Sequence, residues 1–150
     1  SLLSSFPEIE AATITSIINH EFQASDLYKL DSRWRDKTER QVISLTGNTL
    51  ELTNGDTASK EYKSLNSVAV PLSTYFSILM SHASAAGNVA KMGIGFFKYN
   101  AHLVQIASEY EWPSVRAYHM AFFNKRRREM QEGDYGGWGR INLELRGEHL

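Results

Sequence analysis

Apolar residues recur at three- and four-residue spacing through the second half of the chain. Between Val68 and His82 they fall at Val70, Leu72, Tyr75, Phe76, Leu79 and Met80, the period of an amphipathic helix. Ser84-Ala85-Ala86-Gly87-Asn88 predicts a glycine C-cap for it. From Val89 to Glu111 a second helix is expected, with Met92, Phe96, Tyr99, Leu103, Ile106 and Tyr110 close to one stripe. Gly93 and Gly95 weaken that helix by roughly 1 kcal/mol each relative to alanine, unless a neighbour packs close against them. Trp112-Pro113-Ser114 is a junction where Pro113 ends one helix and starts the next. The third helix runs from Ser114 to Gln131, and the glycines of residues 133–139 stop it.

The first half is less regular. Pro7 to Asn19 reads as a short helix capped by Ser5, with Ile9, Ile14, Ile17 and Ile18 as its apolar side. Residues 25–30 predict another turn or two, with Ser25 as cap. Residues 31–40 alternate in charge and read as a solvated face. Residues 41–45 and 49–53 are β-like, with Thr46-Gly47-Asn48 between them, so a hairpin is expected near 41–53. Residues 54–66 read as a loop anchored by Tyr62 and Leu65. A final short helix runs from Arg140 to the end, with Ile141, Leu143, Leu145 and Leu150 as apolar positions. The expected fold class is mainly α: a bundle of three longer helices plus short ones, carrying a small β-hairpin.

Length fits one domain: the chain has 150 residues, within the common size range. It does not begin with Met and is read as a piece of a longer protein. It contains no cysteine, which removes disulfides, thiolate nucleophiles and Cys-type zinc sites and favours a reducing compartment, cytoplasm or nucleus. No apolar run has the ~18 residues that suggest a membrane span, so no membrane association is expected. The net charge of −1 conceals a gradient. Residues 1–111 hold nine Lys/Arg and twelve Asp/Glu, and residues 112–150 hold seven and five.

Catalytic signatures are missing from the sequence. The histidines at 20, 82, 102, 119 and 149 form no HExxH pair. There is no GxSxG elbow. Gly93-Ile94-Gly95 has helical flanks and is not a phosphate loop. Glu109 and Glu111 fall on different sides of a helix. His119, between aromatic and arginine positions, stands out, yet its default role is structural. The remaining enzymatic alternative is a His/carboxylate site assembled only in the fold, from His82, His102, His119 and an acid. No cofactor or metal is expected.

The strongest local feature is the acid-free span from Arg116 to Arg128, in which Arg116, Lys125, Arg126, Arg127 and Arg128 give +5. One reading is a basic helix end that complements the helix dipole. A second is a patch contacting RNA or DNA phosphates. Four cations reaching phosphates would give a log–log salt slope of roughly −3 to −4. A third is a site for an acidic protein partner, or the arginine-rich edge of an assembly interface. Beyond it, Tyr135 and Trp138 lie among Gly133, Gly136, Gly137 and Gly139. They either stack on bases beside the basic turn or fold back and pin the loop to the core. The aromatic surplus of the three long helices also fits a protein–protein or self-association module without nucleic-acid binding.

Residues 110–119, 122–130 and 133–138, with Asp26-Leu27-Tyr28-Lys29-Leu30-Asp31 and Arg35-Asp36-Lys37 upstream, resemble a segment recurring in multicopy basidiomycete fungal proteins of retroelement type. The resemblance spans roughly residues 25–150 and implies a Gag-like position ahead of other modules. It brings no catalytic residue. It implies assembly or nucleic-acid binding, and without a CCHC zinc knuckle the latter would rest on Arg116, Lys125, Arg126, Arg127 and Arg128, supported by Tyr135 and Trp138.

Overall fold

The computed structural model describes residues 2–31, 60–84 and 87–150. Their elements are α1 (Leu2–Ser5), α2 (Ala11–Ile18), a 3₁₀ helix (Ala24–Leu30), α3 (Leu65–Ala83), α4 (Val89–Glu109), α5 (Trp112–Gln131), a 3₁₀ turn (Gly137–Gly139) and α6 (Leu143–His149). The chain is mainly helical, and the three long helices are those expected, two from apolar spacing and the third from the Pro113 junction. The hairpin expected near residues 41–53 lies outside the described residues, among which no strand occurs. No helix among the described residues is long and apolar enough to cross a membrane.

The N-terminal reading needs correction. Of the helix expected over residues 7–19 only Ala11–Ile18 is helical, and a separate short helix precedes Pro7. α1 ends at Ser5, a turn closes from Ile9 N–H to the Phe6 carbonyl at 3.1 Å, and α2 starts at Ala11 behind Glu10. Pro7 has no N–H to donate and disfavours a helical Phe6, so it separates two helices instead of starting one. α2 ends in a Schellman arrangement: Glu21 N–H reaches the Ser16 carbonyl at 2.9 Å and His20 N–H the Ile17 carbonyl at 3.0 Å. His20 takes the left-handed position there, with φ 59°. Gln23, not Ser25, precedes the 3₁₀ helix. The last helix begins at Leu143, where the Asn142 side chain accepts from Leu145 N–H at 2.9 Å.

The core lies between α3, α4 and α5. Phe76 of α3 stacks on Phe96 of α4 with ring centroids 3.8 Å apart. Tyr99 of α4 stacks on Phe122 of α5 at 4.5 Å. Trp138 enters from the Gly137–Gly139 turn and is 1% exposed. Its ring lies 5.1 to 6.3 Å from those of Tyr75, Phe76, Phe96, Tyr99, Phe122 and Phe123. Pairs of this kind add about 0.5–1.5 kcal/mol beyond area burial. Tyr62 is fully buried, as the sequence predicts for an anchor. Its hydroxyl donates to the Ser25 carbonyl at 2.9 Å and accepts from Tyr28 N–H at 2.9 Å.

Candidate functional site

The basic run does not form one surface. Arg126 is 3% exposed and Arg127 7%. Arg126 donates to Glu129 at 2.7 Å and to the Arg140 carbonyl at 2.7 Å, with its guanidinium carbon 4.5 Å from the Phe122 ring centroid. Arg127 donates to the His20 carbonyl at 3.0 Å, which Gln131 Nε2 also reaches at 2.8 Å. Arg116 donates to the Tyr62 carbonyl at 3.3 Å, beside the Trp112 indole N–H at 2.8 Å. Lys125 is half-buried and Arg128 exposed. Three of the five expected phosphate contacts therefore bind backbone carbonyls of this chain. A buried guanidinium needs such acceptors, because leaving one unpaired costs several kcal/mol.

The expected stacking platform is also internal. Trp138 presents no face to solvent, being the hub of the core. Tyr135 is half-buried, and its hydroxyl meets His20 Nε2 at 3.0 Å. Of the two readings of this loop, the structure contains the one in which it is pinned to the core. Gly137 permits this, since a Cβ there would stand 2.5 Å from Glu129 Oε1 and 2.7 Å from Arg126 Cδ.

Among the described residues, His102 and His119 meet tyrosine hydroxyls and not carboxylates. His119 is fully buried and its Nδ1 is 2.5 Å from the Tyr99 hydroxyl. Burial pushes its pKa down to about 3, so it is a neutral core residue. His102 Nε2 lies 3.4 Å from the Tyr118 hydroxyl. Burial and then Arg146 lower its pKa, against a smaller opposing effect of Glu109. Among the described residues no group of three His, Asp or Glu side chains could hold a metal ion.

What the structure leaves exposed is a second apolar seam on α4. Its core stripe, through Met92, Phe96, Tyr99, Leu103 and Ile106, is buried. On the opposite side Ala90, Ile94, Phe97, Ala101 and Val104 follow one another at intervals of four, three, four and three residues. All are exposed, Ile94 by 59%, Phe97 by 79% and Val104 by 49%. That spacing is the seam of a helix meant to pack against another helix. A helix apolar on two sides is normally covered on both.

The surroundings suit a docked helix. On one flank, Gly93, Phe97 and Asn100 face Ser73, Ser77 and Met80 of α3 across a groove of about 230 Å³ floored by Phe76 and Phe96. The α3 hydroxyls on that side are already used: Ser73 donates to the Ala69 carbonyl at 3.0 Å, Ser77 to Ser73 at 2.9 Å and Ser81 to Ser77 at 2.8 Å. Burying them therefore strands no polar hydrogen. On the other flank a cleft of about 270 Å³ is rimmed by Lys98, His102, Gln105, Arg140 and Ile141.

Sequence reasoning missed this seam. The signal was present in the same 3–4 spacing, displaced by about half a turn from the core stripe. No protein-family model, curated protein or solved structure matches this chain.

Proposed function

We propose that this chain is a non-enzymatic interaction and assembly module that receives a partner helix on the outer seam of α4. One observation carries the reading: a long helix with a complete second 3–4 apolar stripe, exposed, beside a groove whose serine hydroxyls are already hydrogen-bonded. An assembly role is also what a Gag-like position would require. That setting belongs to the proposal and rests on the motifs of residues 25–150. Nucleic-acid contact is the lesser reading, because Arg116, Arg126 and Arg127 are engaged internally, leaving Lys125 and Arg128.

The absence of cysteine makes the test simple. Ala101→Cys places an environment-sensitive dye on the seam, and Arg128→Cys places one on the basic helix end. A synthetic amphipathic helix with a 3–4 leucine stripe should blue-shift the dye at 101 and leave the dye at 128 unchanged. No response at 101 would remove the proposal.

A further inference from the structure

Resting on that docking role, we infer that the occupant is a partner protein's amphipathic helix with Glu or Asp along the flank of its apolar stripe, not a second copy of this chain. In heptad terms the seam places Lys91, Lys98 and Gln105 along one flank and Gly93, Asn100 and Ala107 along the other. Lys91 and Lys98 are exposed, and no ion pair holds either among the described residues.

Arg140 joins them. A Cβ on Gly136 would stand 2.9 Å from Lys91 Cε and 3.2 Å from Arg140 Nη1, and one on Gly139 would stand 3.4 Å from Lys98 Cδ. The three cations thus line the turn beside the seam. Asp134 offsets part of this charge, with its carboxylate 3.0 Å from Arg140 Nη2. The opposite flank is neutral: from Leu65 to Ala83, α3 contains no Asp, Glu, Lys or Arg.

This one-sided charge discriminates between occupants. In an antiparallel pair of α4 helices, like flanks face each other, so Lys91 and Lys98 would oppose the same lysines. In a parallel pair they would face the neutral flank and gain no partner. An acidic flank meets them in either orientation, and carboxylates at the rim of the Lys98–Arg140 cleft complement its cations.

The test uses the whole chain and three fluorescent three-heptad peptides with Ile and Leu in the stripe. They differ only in carrying Glu, Gln or Lys at the flanking positions. The Glu peptide should bind about tenfold more tightly than the Gln peptide, and the Lys peptide more weakly still. Added salt should erase these differences. Lys91→Glu with Lys98→Glu should reverse the order, and Phe97→Asp should abolish binding of all three while the circular dichroism stays helical. Equal binding of the three peptides, lost in Phe97→Asp, would overturn the acidic flank and leave the docking role standing. No binding of any peptide would overturn both. A dimer of the chain alone that Phe97→Asp dissolves would make the second copy the occupant. Binding of single-stranded RNA in place of the peptides, lost on the double lysine reversal, would also overturn the inference.

Discussion

Gly95 of α4 and Gly139 of the C-terminal turn meet backbone to backbone. A Cβ on Gly95 would stand 3.2 Å from the Gly139 nitrogen and 3.3 Å from Trp138 Cβ, and one on Gly139 would stand 3.3 Å from Gly95 Cα. The contact holds Trp138 at the centre of the aromatic core. Gly95→Ala should therefore destabilise the fold by about 1–3 kcal/mol, although alanine is the better helix former. Gly93→Ala is the control. Its Cβ would meet Met80 Cε at 3.1 Å, the flexible end of a side chain, so it should be neutral or gain up to about 1 kcal/mol. Urea denaturation of both variants measures this, and equal effects would contradict it.

That glycine contact shows what the sequence could and could not convey. The 3–4 period made α3 and α4 legible, Pro113 and the glycines after residue 132 bounded α5, and the cost of glycine inside α4 pointed to a close neighbour. Which neighbour was invisible, because Trp138 and Gly139 lie more than forty residues on. The arginine run misled for a similar reason. Consecutive cations look solvated when only local partners are considered, whereas Arg127 reaches a carbonyl at residue 20 and Arg116 one at residue 62. The outer seam of α4 was legible but overshadowed by its core stripe.

The arginines should separate by stability before they separate by binding. Arg126→Ala removes a buried cation from Glu129 and the Arg140 carbonyl and should cost about 3 kcal/mol. Arg128→Ala, at an exposed position, should stay within about 0.5 kcal/mol. Thermal or urea unfolding would show the difference, and similar costs would refute the structural role of Arg126.

Nucleic-acid affinity, where detectable, should have a shallow salt dependence. With Lys125 and Arg128 alone of the helix-end run left at the surface, a log–log slope no steeper than about −2 is expected. Fluorescence anisotropy with labelled DNA and RNA over a salt series measures it. A slope near −4 that persists with Lys91→Glu and Lys98→Glu would mean that Arg126 and Arg127 leave their internal partners.

The buried histidine predicts acid sensitivity. His119 is held at about 3 in the fold, against about 6.5 when unfolded. Between these values the unfolded chain takes up the proton and the folded chain does not. The stability linked to this group is complete above about pH 6.5 and falls by about 1.4 kcal/mol per pH unit below it. The lowered pKa of His20, which owes most to burial and then to His82 and Arg127, acts in the same direction. His119→Gln should lose less stability than the parent between pH 7 and 5. Equal losses in urea titrations would contradict this.

The docking face of α4 is tested most directly by mapping where a helix lands. Amide NMR spectra of the isotope-labelled chain, titrated with the Glu-flanked peptide, should shift along Ala90, Ile94, Phe97, Ala101 and Val104 and across the groove to Ser73 and Ser77. Shifts confined to Lys125 and Arg128, or none along α4 at saturating peptide, would contradict the account.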